Sequence, residues 1–174
     1  VDHDISRPDV CSQLCALARM SHCIGVIATI PCSSFTAARF APGTKRQRLP
    51  KPVRDIVHTS GIPGGDGSPC AEAVLHNSIV QNALRVMGAA ASHGGFGLVK
   101  NPPPRRACCI YEGRSLHIPG RELHASLFDY PPFIAYSEPH SMYDTVFDQC
   151  EFYADSQKTT VFRSSPRLHY YIYR

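Results

Sequence analysis

The chain has 174 residues, a length typical of one globular domain, and it is 43% hydrophobic and 18% charged, as ordinary folded proteins are. Its formal net charge of +4 is too small to identify a partner by itself. No apolar run reaches the roughly 18 residues of a membrane span, and no basic segment followed by an apolar one opens the sequence. We therefore predict neither a membrane span nor a signal peptide, and we expect an intracellular location.

The chain contains eight cysteines, an even number that would suggest disulfides in a short secreted protein. Because no export signal accompanies them and several lie in apolar helical or strand-like contexts, we expect free thiols instead. Cys11, Cys15 and Cys23 are not completed by a Cys-x-x-Cys or His-x-x-x-His pair. We therefore predict no metal site.

The first regular elements are a helix and then a strand. Pro8 suits a first helical turn, and apolar side chains recur behind it at helical spacing, which predicts a helix over about residues 8–20. The apolar, β-branched run over residues 25–30 predicts a strand buried at the centre of a parallel sheet. Pro31 cannot donate to a sheet ladder, so Cys32 is expected at the carboxyl end of this strand, the edge where open α/β sheets bind ligands.

A long loop is predicted over about residues 40–68, which are rich in proline, glycine, serine and basic side chains. No acidic residue interrupts the basic residues at its start, which are Arg39, Lys45, Arg46, Arg48, Lys51 and Arg54. Such a basic segment would attract a phosphate backbone, but a solvated loop that binds nothing has the same composition. Both interpretations stay open.

A second helix is predicted to begin at Ser68 and Pro69, with Ser68 as its cap, and to continue for about twenty residues. Gly94 and Gly95 are expected to end it. Residues 96–99 then predict a short strand, which the sequence Lys100-Asn101-Pro102-Pro103-Pro104 must end because proline neither continues a helix nor donates to a ladder.

The remainder of the chain predicts a carboxyl-terminal hairpin. We assign no site to residues 105–142, and their scattered histidines are expected at the surface: His117, His124 and His140. Residues 145–150 and 159–162 predict two strands, and residues 169–173 are rich in strand formers. The sequence thus predicts one α/β domain over residues 1–174, with flanking helices and a terminal antiparallel hairpin.

The segment over residues 29–39, in which Pro31-Cys32 follows the strand, resembles the Pro-Cys nucleophile motif of S-adenosylmethionine-dependent DNA methyltransferases. The resemblance is to the divergent cytosine carbon-5 type of eukaryotic mobile elements and viruses. Further matching segments follow in the family's order: Pro52-Val53-Arg54, residues 96–102, and residues 147–152 with Lys158. The resemblance implies a partial Rossmann-like class I methyltransferase sheet. Because the strand and glycine-rich turn that hold the cofactor in this family have no counterpart here, we expect an amino-terminally truncated domain.

The resemblance also implies a site. Cys32 and Asn101 would be the catalytic residues, and Asp4 would contact the adenine of S-adenosylmethionine. The residues that would contact DNA are Ser33, Ser34, Arg39, Arg54 and Lys158. The residues alone favour a capping or loop aspartate for Asp4 and a structural thiol for Cys32.

Two departures leave alternative functions open. Lys100 stands where the cytosine carbon-5 enzymes have a glutamate, and lysine has no acceptor for the cytosine edge, which favours a catalytically dead mobile-element remnant or a nucleic-acid-binding module. Asn101-Pro102-Pro103 resembles the motif of amino-methyltransferases, although Pro104 takes the place of the aromatic residue. A DNA substrate would imply a nuclear location.

Overall fold

A four-stranded mixed sheet with helices packed against it forms the described part of the chain, residues 4–41, 50–111, 113–148 and 159–172, in the computed structural model. The elements in chain order are α1 (Pro8–Ala18), β1 (Gly25–Thr29), α2 (Ala71–Ala91), β2 (Phe96–Asn101), β3 (Ile110–Tyr111), β4 (Arg114–Ser115), α3 (Pro131–Ser137), β5 (Tyr143–Asp148), β6 (Thr159–Ser164) and α4 (Pro166–Ile172). The predicted mixed α/β fold is confirmed.

The strand order in the sheet is β1-β2-β6-β5. β1 and β2 are parallel, with Gly25 opposite Phe96 and Thr29 opposite Lys100. β6 is antiparallel to both of its neighbours, so β5 and β6 form the predicted carboxyl-terminal hairpin. The carboxyl ends of β1 and β2 therefore meet at one edge of the sheet.

The prediction that residues 25–30 lie at the centre of the sheet is wrong for the described strands. β1 pairs only with β2 and is the edge strand of this sheet. Ala28 is buried against the core, whereas Ile27 on the other face is 64% exposed. An apolar run predicts a strand, but it does not indicate whether one or two other strands pair with it. Composition alone therefore cannot distinguish an edge strand from a central one.

The core lies between α2 and the sheet. Val80 and Met87 of α2 pack with Val99 of β2 and with Phe133 of α3. α1 packs on the same long helix through small side chains, which lets the two helices approach closely: Cys11, Cys15 and Ala18 against Ala89 and Ala90. Both predicted helices are confirmed.

The start of α2 differs from its prediction by two residues, since Ser68 and Pro69 belong to a preceding turn. The Ser68 carbonyl accepts the Gly64 N–H at 2.8 Å, and Pro69 forms an isolated bridge with Pro63. α2 begins at Ala71 instead, with Cys70 at its amino-terminal boundary. A Ser-Pro pair favours a helix start locally, but here the backbone N–H and carbonyl of Ser68 form the hydrogen bonds that close the turn.

The terminal segment is a helix rather than the strand that its composition suggests. Pro166 occupies the first position of α4, and the N–H groups of Leu168 and His169 both donate to the Ser165 carbonyl at 3.0 Å. The His169 ring stacks on Tyr143 of β5, with the ring centroids 4.7 Å apart. A serine-proline start outweighs the weak strand preference of aromatic residues here.

The segment over residues 105–142 is anchored by an internal ion pair. Arg106 donates to both carboxylate oxygens of Asp129, at 2.7 and 2.6 Å, and also to the His124 carbonyl at 2.7 Å. Asp129 in turn forms a capping box with Ser126 at a short 3-10 turn before α3. The side chain of His124 is fully buried, so its predicted surface position is wrong.

None of the helices in the described residues combines the length and apolar character needed to cross a bilayer. The seven cysteines in those ranges are free thiols, and Cys150 lies outside them. No group of three or more His, Cys, Asp or Glu side chains in the same ranges could hold a metal ion.

Candidate functional site

Two of the predicted site residues meet at the carboxyl edge of the parallel strands. Asn101 ends β2, is fully buried, and donates through its side-chain Nδ2 to the Ile30 carbonyl at 3.2 Å. Ile30 directly precedes Pro31-Cys32, and the Cys32 side chain is half-buried. The parallel pairing of β1 and β2 brings the ends of these strands together, and the Asn101 hydrogen bond joins the turn that carries the thiol to the end of β2.

Cys32 opens a short folded loop. The Phe35 N–H donates to the Cys32 carbonyl at 3.0 Å and closes a 3-10 turn, and a second such turn covers Ala37–Phe40. The Thr36 hydroxyl caps the second turn by accepting the Ala38 N–H at 3.3 Å. Phe35 is buried in the core, with its ring centroid 6.3 Å from that of Tyr130. The loop is therefore anchored in the core immediately after the thiol.

Side chains of α2 hold the same loop from one side. Ser33 donates to Glu72 Oε1 at 3.2 Å, and Ser34 Oγ lies 2.7 Å from His76 Nδ1. Arg39 forms an ion pair with Glu72. Glu72 and His76 are four residues apart on a helix and so present their side chains to the loop together.

Burial and charge set the protonation of these α2 groups. Burial alone would raise the pKa of Glu72, but the hydrogen bond and charge of Arg39 outweigh it and lower that pKa. Burial lowers the pKa of His76, with the Glu72 charge opposing the shift in part. At neutral pH the α2 groups that contact the Cys32 loop are therefore an anionic Glu72 and a neutral His76.

Arg54 supports the loop from within the core. Its side chain is 1% exposed, its guanidinium lies 3.9 Å from the centre of the Phe35 ring, and it donates to the Thr59 carbonyl at 2.7 Å and to Asn77 Oδ1 at 3.0 Å. Burial lowers the pKa of Arg54 to about 10, so the group is still cationic at neutral pH. A phosphate contact by Arg54 would require this packing to open.

The other predicted DNA contacts differ in exposure. Ser33 is exposed, Ser34 is buried against His76, and Arg39 is engaged by Glu72 and by the Lys51 carbonyl at 3.0 Å. Lys158 lies outside the described residues. The first three belong to the loop that Cys32 opens, so any partner that reaches the thiol also meets the exposed Ser33.

Asp4 lies beside a groove that also reaches Pro31. The groove has a volume of about 820 Å³ and runs between α1, β1 and α2, with mostly apolar walls. Asp4 accepts the Ser6 N–H at 2.9 Å, and its hydrogen bonds with Ser6 lower the pKa of the carboxyl group. Arg7, not Asp4, is the residue at the amino-terminal boundary of α1, so Asp4 does not cap this helix and lies in the segment before it.

His124 is a residue of the site that the sequence did not identify. A carbonyl can only accept, so His124 Nε2 donates to the Phe35 carbonyl at 2.9 Å, while Nδ1 has no partner among the described residues. Burial lowers the pKa of His124 and keeps the ring neutral. Glu72 and His76 were missed as well, although their spacing of four on a predicted helix was a readable signal.

Comparison of the chain with protein-family models, with curated proteins and with solved structures finds no match. A functional assignment therefore depends on the motif order in the sequence and on the arrangement at this sheet edge. The arrangement presents a partly exposed thiol on an anchored loop, beside the end of a parallel strand and next to a large apolar groove. Such a thiol can act as a nucleophile when it is ionised.

Proposed function

We propose that this chain is a DNA methyltransferase-like domain that transfers a methyl group from S-adenosylmethionine to carbon 5 of cytosine through Cys32. The observation that carries the proposal is the parallel register of β1 and β2, since it brings the half-buried Cys32 and the Asn101 turn to one edge. The strand order supports it as well, because a parallel pair followed by an antiparallel hairpin agrees with the carboxyl part of a Rossmann-like class I sheet.

The chemistry assigns one task to each group. The Cys32 thiolate adds to carbon 6 of the cytosine ring, which makes carbon 5 nucleophilic. Carbon 5 would then take the methyl group from the bound cofactor, with S-adenosylhomocysteine as the leaving group. Carbon 5 would next lose its proton to solvent, and the bond from carbon 6 to sulfur would break, which restores the ring double bond and the thiolate. The target base lies inside the duplex, so it must be flipped out to reach the thiol. A DNA substrate implies a nuclear location in a eukaryotic cell.

Asn101 acts as a positioning residue in this proposal. Its fully buried amide donates to the Ile30 carbonyl, so it holds the Pro31-Cys32 turn and does not touch the base. This use of the amide also bears on the amino-methyltransferase alternative. A substrate amino group would donate to the Asn101 Oδ1 oxygen, which has no hydrogen-bond partner among the described residues, and this fully buried oxygen would first have to become accessible.

The groove beside Asp4 fits the adenosine part of S-adenosylmethionine. Its volume of about 820 Å³ is within the size range of small-molecule sites, its walls are largely apolar, and one carboxylate stands at its rim. Apolar walls suit the faces of an adenine ring, and the Asp4 carboxylate can accept a hydrogen bond from the adenine amino group. When bound, the cofactor supplies the methyl group.

A second candidate function, nucleic-acid binding without turnover, is favoured by Lys100. This residue precedes Asn101 on β2 and is half-buried, where the cytosine carbon-5 enzymes have a glutamate. An ammonium group offers three donors and no acceptor, so it cannot accept from the cytosine amino group. It can, however, contact a phosphate.

Incubation of the purified chain with labelled S-adenosylmethionine and duplex DNA tests these functions. The proposal predicts 5-methylcytosine in the digested DNA. For Cys32→Ala it predicts a methylation rate that is lower by a factor of about a thousand or more. Cys70→Ala, which removes an exposed thiol elsewhere, should leave the rate unchanged. The readouts are mass spectrometry of the nucleosides and a titration of the cofactor.

Other outcomes would overturn the proposal in distinguishable ways. Methylation of an amino nitrogen that persists in Cys32→Ala would identify an amino-methyltransferase. Salt-sensitive DNA binding without cofactor affinity or methylated product would identify a nucleic-acid-binding module.

A further inference from the structure

Two adjacent cysteines, Cys108 and Cys109, lie on the loop that connects β2 to β3. The Sγ atoms of Cys108 and Cys109 are 3.9 Å apart, with Cys108 exposed and Cys109 half-buried. Both thiols line a cavity of about 530 Å³, whose polar walls include Asp144 and Arg163. A small polar molecule in this cavity would therefore meet both sulfur atoms.

The two thiols differ in their electrostatic surroundings. Arg106 lies beside Cys108 and lowers the pKa of that thiol, whereas burial raises the pKa of Cys109. Arg106 is fixed in place, because Asp129 binds it through two hydrogen bonds of 2.7 and 2.6 Å. The pair thus consists of an exposed thiol next to a held cation and a second thiol that is more shielded, the arrangement of an attacking and a resolving cysteine.

We propose that Cys108 and Cys109 form a thiol–disulfide exchange site for small disulfides of the glutathione class. The Cys108 thiolate attacks one sulfur of the small disulfide, whose S–S bond breaks and releases the first small thiolate. Cys109 gives its proton to solvent and attacks the Cys108 sulfur, which releases the second small thiolate. The two released thiolates take up protons, so the protein pair is oxidised by two electrons and the small disulfide is reduced to two thiols.

The product is expected to be reversible. A disulfide bond is about 2.05 Å long, so sulfur atoms already 3.9 Å apart close with a local movement of the loop. Adjacent Cα atoms are only about 3.8 Å apart across a trans peptide, below the usual range of about 4.4–6.8 Å for bridged cysteines. Because such a ring is strained, a reducing thiol should reopen it readily.

Incubation of the full chain with oxidised glutathione, followed by an acid quench and peptide mapping by mass spectrometry, tests the proposal. The peptide with Cys108 and Cys109 should lose two hydrogen atoms and carry no glutathione. Cys109→Ser should trap one glutathione on Cys108, and Cys108→Ser should slow the reaction of this peptide about tenfold or more. Cys70, an exposed free thiol at the start of α2, is the internal control and should retain its glutathione adduct.

A stable glutathione adduct on Cys108 in the unmodified sequence would overturn the proposal, because the second thiol would then not resolve it. Modification of Cys70 as fast as Cys108 would also overturn it, because Arg106 would then confer no reactivity. Because neither substitution removes a core side chain, circular dichroism should show both variants folded. These outcomes do not depend on methyl transfer.

Discussion

Replacement of Arg54 by alanine is expected to lower the free energy of unfolding by about 3 kcal/mol and the Tm by about 10 °C. The substitution removes a cation that is 1% exposed and opens a cavity beside Phe35. It also leaves the half-buried acceptors of Thr59 and Asn77, and the buried carbonyl of Ala73, without their donor. Since the chain has no tryptophan, urea unfolding followed by far-ultraviolet circular dichroism is the suitable measurement.

Two further variants separate the possible causes of this loss. Arg54→Met keeps volume over the Phe35 ring without the donors and should lose about half as much stability. Arg7→Ala removes an arginine whose side chain is 49% exposed and whose partner Asp9 is 56% exposed, and it should cost less than about 0.5 kcal/mol. If Arg54→Ala unfolded like the unmodified chain and only its DNA affinity fell, Arg54 would be a phosphate ligand and not a core residue.

Phe35→Ala is expected to cost about 4 kcal/mol, the usual range for truncation of a buried aromatic residue. The Phe35 ring packs between the Arg54 guanidinium and the Tyr130 ring. The backbone carbonyl of Phe35 accepts a hydrogen bond from His124 Nε2. Loss of this anchor should also free the preceding turn, so alkylation of Cys32 should become faster. The measurements are urea unfolding and the rate of Cys32 alkylation, followed by peptide mapping.

Phe40→Ala is the matched control, since Phe40 belongs to the same loop but is only half-buried and should cost about 1 kcal/mol. Because Phe35 and Arg54 are in contact, the double variant Arg54→Ala with Phe35→Ala should lose less stability than the sum of the single losses. Additive losses, or a Phe35→Ala variant as stable as Phe40→Ala, would contradict the account of a core-anchored loop.

Local patterns were sufficient to predict the elements that carry the site. A long apolar stripe at helical spacing identified α2, and an apolar run stopped by Pro31 identified β1 and the position of Cys32 at its end. Alternating residues on either side of a polar segment predicted the β5–β6 hairpin. These features depend on neighbours within a few residues, so one sequence contains the information.

The rest depends on contacts between distant residues. The residues adjacent to Arg54 in the sequence do not indicate that its guanidinium packs on the Phe35 ring. The residues adjacent to Ser34 likewise do not indicate a hydrogen bond with His76, which is 42 positions away. The edge position of β1 and the burial of His124 have the same origin, because both are set by which elements pack together. Tertiary contacts of this kind outweigh local preference and are not visible in residue spacing.

Covalent trapping with a 5-fluorocytosine oligonucleotide in the presence of S-adenosylmethionine tests the role of Cys32 most directly. Fluorine at carbon 5 cannot leave as a proton, so the bond between sulfur and carbon 6 should persist. The account predicts an adduct that is stable to denaturant and that peptide mapping assigns to Cys32, absent from Cys32→Ala and retained in Cys70→Ala. No adduct on the unmodified chain, or an adduct that survives in Cys32→Ala, would contradict it.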